Sequence, residues 1–587
     1  MSSRKNKHEG LKPYFRAVPD ILRYQAASKT LMFVLLAVLR YIMRGLLHST
    51  GRAALTSGDF RFLFVTWQGI LLIALSLLVL LLYVVFDLNT KIVLSGRLLA
   101  GEEGNVAGTI RDSIRSIPAF FCADGLGIVL YIALIAPAIG FGLSISLTQN
   151  FYIPTFITSV IKTTPLYNLL YTTALIVFLL IGLMNIFCLH GVLLDGLPVR
   201  DSRRQSVQMV RKHWKNYIKE NVLFTLGFMA AGGAAVLLCG ALPIVLGAFL
   251  VGSEQQMRFW LVLSAISVLF MTAGLAFVSI PFELMKITQL YCSYRDGLKK
   301  EWPQREKKRR PVLFVLRAMV IALVFGAAQL INTHFDVLVP QGTDVRIIAH
   351  RGGGSEGAEN TVSGMEKAWA LGAWGSEIDI QRTADGYYVL NHDTTFARTA
   401  GVNRKPEDMT LAEIRALDIN GEPVPVLEEM LEACEGKMVL FIELKGTTAD
   451  RQMAEDTVQI LKKMDMVDQA VLISLKYDLI DYIESTWPEI QTGYLTFLSF
   501  GDTAALNCDY IGLEEEAATV SVVNAIHEQG KKVLVWTVNE ENKQRAFLLR
   551  NVDGIITDNV AQAEGIAEEL NNRDDVTRLF DLILSGR

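Results

Sequence analysis

Cysteine is scarce in this sequence, six in 587 residues. They are too few and too scattered for a disulfide framework, and Cys122, Cys188 and Cys239 lie inside apolar runs, so all six read as packing residues. A cleavable signal is also missing, because no small-residue cleavage site follows the basic N-terminal stretch. No G-x-G-x-x-G follows the first strand of the C-terminal half, which argues against a doubly wound dinucleotide-binding sheet. Net charge is nearly absent, −4 overall, but it hides a split. Residues 1–345 carry 34 Lys+Arg against 18 Asp+Glu, whereas 346–587 carry 22 against 42. The acidic half should repel nucleic acid, so none is expected as a partner.

What is abundant is apolar sequence before residue 335. A mean hydropathy of +0.33 is too high for a soluble globule, and 587 residues exceed a single core. Runs long enough to cross a bilayer occur near 63–86, 121–147, 168–194, 221–251, 259–290 and 312–332. A seventh, 30–48, is interrupted by Arg40 and Arg44. The loops 195–220 and 294–310 hold seven and eight Lys/Arg and should be cytoplasmic. A basic cytoplasmic N-terminus (1–29) then requires an odd number of spans, which favours seven within an all-α polytopic domain over 30–335. One span separates the loop 294–310 from the acidic half, so that half is expected outside the cytoplasm, on a multi-pass protein of the cell membrane. Asp124, His190, Glu283 and Lys286 lie within or beside spans, where charge is a functional hypothesis by default. Glu283 and Lys286, however, lie near a cytoplasmic end, and His190 has the plain reading of a bond to a neighbouring helix.

From Arg346 onward, short β-branched runs alternate with helical stretches. RIIAH (346–350), SEIDIQ (376–381), MVLFIEL (438–444), AVLIS (470–474), QTGYL (491–495), DYIGL (509–513), KVLVWTV (532–538) and DGIIT (553–557) make eight candidate strands. Eight strand-plus-helix units in this length predict an α/β (β/α)₈ TIM barrel over 345–570, followed by a tail at 571–587.

Its strand ends carry the polar motifs HRGGGSEGAENT (350–361), EID (377–379), NHD (391–393) and IELK (442–445). His350 and Arg351 end the first strand, and Asn360 is placed to cap a helix beginning at Thr361. Glu377 and Asp379 are two apart, so they share one side of their strand, as do Glu443 and Lys445. A hairpin at Asp385-Gly386 pairs positions summing to about 769, which brings His392 back beside Glu377. Trp536 lies on a later strand, open between core packing and ligand contact. A lone strand-end histidine usually just hydrogen-bonds a loop, and a Glu-x-Lys pair is commonly solvated. Together, however, these groups would cost stability through desolvation without a function. They are the inventory for holding a divalent cation and splitting a phosphodiester.

In this order, HRG with ENT, E-x-D, D-G, H-D, E-L-K and W-T-V-N resemble the glycerophosphodiester phosphodiesterase family over about 345–565. Residues 1–335 are similar, more loosely, to the multi-span domain preceding this barrel in some bacterial members. The resemblance implies a barrel of the PLC-like phosphodiesterase type that hydrolyses glycerophosphodiesters to glycerol 3-phosphate and an alcohol through a cyclic phosphate. It implies Glu377, Asp379 and Glu443 as ligands of one Ca²⁺ or Mg²⁺, His350 and His392 as acid and base, and Arg351, Lys445 and Trp536 as substrate contacts. Ca²⁺ is slightly favoured because the site is expected outside the cytoplasm. Ala358 and Val560 replace prolines usual in the family, which touches loop shape. Two further readings remain: a lysophospholipase D or glycerophosphate-polymer hydrolase using the same site on a lysolipid or wall polymer, and a transporter or lipid-handling membrane protein with an inactive sensor barrel.

Overall fold

Long apolar sequence dictates helices wherever backbone groups must be satisfied without water, and the N-terminal region follows that rule. The computed structural model describes residues 11–52, 54–55, 60–102, 105–132, 155–250, 254–303, 311–339, 341–497 and 500–584. Packing divides the chain into two units. One comprises Met1–Tyr41, Ile73–Tyr152 and Thr158–His334; the other comprises Ile42–Leu72, Ile153–Ile157 and Phe335–Arg587. Residues 42–72 therefore group with the C-terminal unit, although they lie within the stretch 30–335 assigned to the membrane from sequence.

The first unit is helical, a membrane domain with several apolar helices. Among the described residues, Lys12–His48, Pro165–Asp195, Val199–Leu250 and Gln256–Asp296 are long and apolar enough to cross a bilayer. A bent pair, Val106–Phe120 with Ala123–Leu130, would make a fifth, and Trp67–Val79 and Arg317–Thr333 are shorter apolar helices. Most of the expected span 121–147 lies outside the described residues. The interrupted stretch 30–48 is the end of a helix that already begins at Lys12, whose first turns bury Tyr14, Ala17, Ile21 and Tyr24. Burial is inverted relative to a water-soluble bundle: Leu169, Leu180, Leu237 and Phe249 face outward, whereas Asp87, Asn89, Thr90 and Lys91 are buried. The helix Trp67–Leu99 carries this polar stretch past residue 86, with Asp87 paired to Lys91 and accepting from Ser28 at 3.3 Å. Of the ionisable groups noted from sequence, Asp124 pairs with Arg203 (3.1 Å), Lys286 with Glu220 (2.9 Å), and His190 bonds Thr288 (3.1 Å).

In the second unit, eight parallel strands close into a ring: β1 (Arg346–Ala349), β2 (Gly375–Arg382), β3 (Val439–Leu444), β4 (Ala470–Ser474), β5 (Gln491–Thr496), β6 (Tyr510–Glu514), β7 (Lys532–Trp536) and β8 (Gly554–Thr557). Each pairs with its sequence neighbours, and β8 pairs with β1 to close the barrel. These are the eight runs read from the sequence. Ile348, Phe441, Ile473, Leu495 and Ile556 belong to one buried cluster, and alternate residues such as Ile347, Ile378, Leu440 and Ile555 pack in a second that includes the helices. Period-two side-chain alternation on strands buried on both faces produces these two sets. The stretch after residue 571 is a further helix, Asp575–Leu584, whose buried Arg578 pairs with Asp336 at 3.0 Å.

The hairpin after β2 corrects the expected register. Tyr388–Leu390 runs antiparallel to β2 with Ile380 opposite Leu390, so paired positions sum to 770 rather than 769. The cause is the loop: Thr383 N–H bonds Tyr387 O, leaving three residues, Ala384 to Gly386, with Gly386 at φ +89°. A three-residue loop with glycine in the left-handed region centres the pairing on Asp385. His392 consequently lies beyond the ladder and not directly opposite Glu377.

Candidate active site

Parallel pairing of β2 with β3 puts Asp379 directly opposite Glu443. Glu377, two residues earlier on β2, points to the same side. One carboxylate oxygen from each of Glu377, Asp379 and Glu443 lies within 4.8 Å of the others, and all three side chains are buried. Lys445 reaches between them, with its Nζ 2.8 Å from Asp379 Oδ1 and 2.9 Å from Glu443 Oε2.

Electrostatics shows what this cluster lacks. Burial, reinforced by Asp379 and Glu443, pushes Glu377 well above the usual carboxylate range. Burial likewise raises Glu443 to about 7, although Lys445 opposes it. Asp379 is buried as deeply, yet Lys445, His392 and Asn360 outweigh that and hold it well below the usual range. Three carboxylates against one ammonium leave two negative charges when all are ionised, which one divalent cation would balance. The donors are oxygens only, and their spacing matches pairs of ligands each about 2.0–2.6 Å from a common ion. The residues fit a hard cation such as Ca²⁺ or Mg²⁺.

The loop after β1 wraps this cluster with backbone. Arg351 takes φ 53° and donates its N–H to Glu377 Oε2 at 2.9 Å, while Gly352 N–H bonds Glu377 O at 2.6 Å. Asn360, expected as a helix cap, has another task. Its amide donates to Asp379 Oδ2 at 2.9 Å and its carbonyl accepts from Asp379 N–H at 3.1 Å. Thr361 is the cap of the helix Val362–Ala370, accepting from Gly364 N–H. Asparagine tolerates the left-handed φ of 55° that this reach requires.

Both histidines are oriented by a carboxylate. His350 Nδ1 lies 2.7 Å from Asp558 Oδ1, and Asp558 also accepts from Asn539 Nδ2 at 2.6 Å. His392 Nδ1 lies 2.8 Å from Asp393 Oδ1. Arg398 bonds both Asp393 and Glu359, and Arg351 Nη1 is 3.4 Å from Glu359, so the two histidine loops share one ionic network. With Nδ1–H committed to a carboxylate, the neutral imidazole presents a basic Nε2. Burial lowers His392 to about 4, with Asp379 opposing. Burial acts to raise Asp558, but His350 and Asn539 hold it below its ordinary range.

Trp536 ends β7, half-buried, with its indole N–H donated to Gly512 O at 3.0 Å. Asp558, Asp393, Asn539, Glu359 and Arg398 were not singled out as site residues from sequence. A signal existed for two of them, since Asp393 completes the NHD motif and Asp558 lies in the TDN run after β8.

Residues 9–328 match the family described as the membrane domain of glycerophosphoryl diester phosphodiesterase, and residues 350–562 match the glycerophosphoryl diester phosphodiesterase family. A glycerophosphodiester phosphodiesterase of Caldanaerobacter subterraneus subsp. tengcongensis is 29% identical over 226 residues, covering 36% of this chain and 93% of that protein. One from Bacillus altitudinis is 27% identical over 242 residues, 38% of this chain and 99% of that protein. Among solved structures, an Oleispira antarctica phosphodiesterase in complex with the product sn-glycerol-3-phosphate is 26% identical, covering 38% of this chain and 96% of that chain with a TM-score of 0.36.

Proposed function

Since this chain belongs to the glycerophosphoryl diester phosphodiesterase family, with both its membrane domain and its hydrolase barrel, we propose that it is a metal-dependent enzyme cleaving glycerophosphodiesters to glycerol 3-phosphate and an alcohol. The observation that carries the metal-dependent part is the buried Glu377–Asp379–Glu443 cluster, whose charge a single ammonium leaves unbalanced. These three residues would hold one cation, Ca²⁺ by slight preference, which when bound supplies positive charge to a phosphoryl oxygen and the neighbouring glycerol hydroxyl.

The remaining chemistry falls to the chain's own side chains. His392, kept neutral by burial, accepts the proton of the glycerol hydroxyl adjacent to phosphorus as that oxygen attacks. His350, in its imidazolium form with Nδ1–H on Asp558, donates its Nε2 proton to the departing alcohol as the P–O bond breaks and is left as the neutral imidazole. Water then opens the resulting cyclic phosphate with the two roles exchanged. Lys445 holds Asp379 ionised, opposes the protonation of Glu443 and, with Arg351, faces the negative charge developing on the phosphoryl group. Trp536 contributes an apolar wall at the same barrel end.

The barrel is placed outside the cytoplasm in this reading, supported by the fifteen Lys/Arg of the loops 195–220 and 294–310. Product analysis with a panel of glycerophosphodiesters, lysolipids and glycerophosphate polymer, with and without chelator, tests the proposal. Glycerol 3-phosphate released from a soluble glycerophosphodiester only when divalent metal is present is the expected outcome. Absence of turnover with every substrate in Ca²⁺ and in Mg²⁺ would overturn it.

A further inference from the structure

A short strand far from the barrel in sequence joins its catalytic end. Ala54 and Leu55 pair antiparallel with Gly501 and Phe500, in the loop that follows β5 at the end of the barrel bearing the acidic cluster. Ala54 is buried in the same cluster as the barrel's strand–helix core. Leu55 packs with Leu47 and Leu72, flanked by Phe62 and Leu63, and the Arg52 guanidinium lies 5.3 Å over the Phe62 ring. Arg44 comes within 4.0 Å of Asp502. The described residues 42–52, 54–55 and 60–72 thus form a strap within the barrel's unit.

The strap's outer side has the opposite character. Phe64, Val65, Trp67 and Ile70 are 70%, 65%, 65% and 55% exposed. At both ends the strap continues without a break into apolar helices, Lys12–His48 and Trp67–Leu99. Exposed aromatic and branched side chains at the start of an apolar helix suit the bilayer interface, where water contact is reduced and aromatic rings anchor.

We propose that the strap docks the catalytic end of the barrel on the bilayer surface, so that amphiphilic glycerophosphodiesters are drawn into the site directly from the membrane. The occupant of the strap's apolar face is lipid, by continuity with the apolar helices that flank it. This rests on the hydrolase reading and adds the source of the substrate. A single acyl chain is the compatible form, because the attacking hydroxyl beside the phosphate must be unacylated.

The test uses the full chain in nanodiscs, with lysophosphatidylcholine in the same bilayer and glycerophosphocholine in solution. Phe64→Asp combined with Val65→Asp is expected to lower kcat/KM for the bilayer substrate about tenfold, as loss of two apolar anchors dictates. Turnover of glycerophosphocholine should stay unchanged. Equal behaviour of the two substrates, whether both unaffected or both reduced, would overturn the inference, as would a wild-type enzyme that cleaves glycerophosphocholine but not the lysolipid. Inactivity of the wild type on both would instead remove the hydrolase reading beneath it. Independently, a Leu55→Cys/Phe500→Cys pair should form a disulfide on mild oxidation in membranes, and its failure to form would refute the pairing.

Discussion

Replacing Glu443 by glutamine should change stability in opposite directions with and without the cation. In the cation-free barrel, burial raises Glu443 from 4.5 to about 7. A carboxyl whose folded pKa lies above its unfolded value stabilises the fold when protonated, and that contribution is lost as pH rises from 4.5 through 7. At about 1.4 kcal/mol per pH unit, ionised Glu443 at pH 8 costs the folded state about 3 kcal/mol. Glutamine removes that cost, in which the charge-assisted bond from Lys445 is already counted, and Lys445 keeps its bond to Asp379. The cation-free variant at pH 8 is therefore expected to be about 3 kcal/mol more stable than wild type, an advantage that disappears below about pH 4.5. With Ca²⁺ at a thousand times its Kd, wild type gains about 4.1 kcal/mol and the variant, lacking a charged ligand, gains far less. The order then inverts. Thermal unfolding of the full chain in nanodiscs at pH 8, in chelator and in Ca²⁺, reads this directly. Wild type more stable than Glu443→Gln in both conditions would refute the electrostatic account of the cluster.

Other expectations follow from the same geometry. His350→Ala and His392→Ala should each lower turnover by about 10²–10⁴, and near-wild-type activity in either would remove that residue from proton transfer. Asp558→Asn should lower kcat by about tenfold or more and shift the pH profile, because the His350 tautomer loses its anchor; an unchanged profile would make Asp558 merely structural. Apparent Ca²⁺ affinity should weaken by about tenfold per pH unit below 7, where Glu443 takes up a proton, and isothermal titration at pH 6 and 7.5 giving equal affinities would contradict this. Protease added to intact spheroplasts should cut the barrel while sparing 195–220; protection of the barrel until lysis would reverse the proposed orientation.

The strands and the acidic pairs were legible because both depend on local pattern. β-branched runs of four to eight residues define strands, as in AVLIS at 470–474, which forms β4 without adjustment. Period-two alternation alone puts Glu377 and Asp379 on one face, and the same rule aligns Glu443 with Lys445. What pairs with the histidines was not legible. Asp558 lies 208 residues beyond His350, and only the pairing of β8 with β1 brings them together. Asn360 reads as a cap by residue type, yet a left-handed backbone turns it onto Asp379. The register of the hairpin hung on whether its loop held two or three residues, a choice made by Gly386 together with the Thr383–Tyr387 bond. The Ala54–Gly501 pairing has no periodic signature in the sequence. Residue spacing determines which face of an element a side chain occupies; ring closure and turn geometry, which act between segments distant in the chain, decide which faces meet.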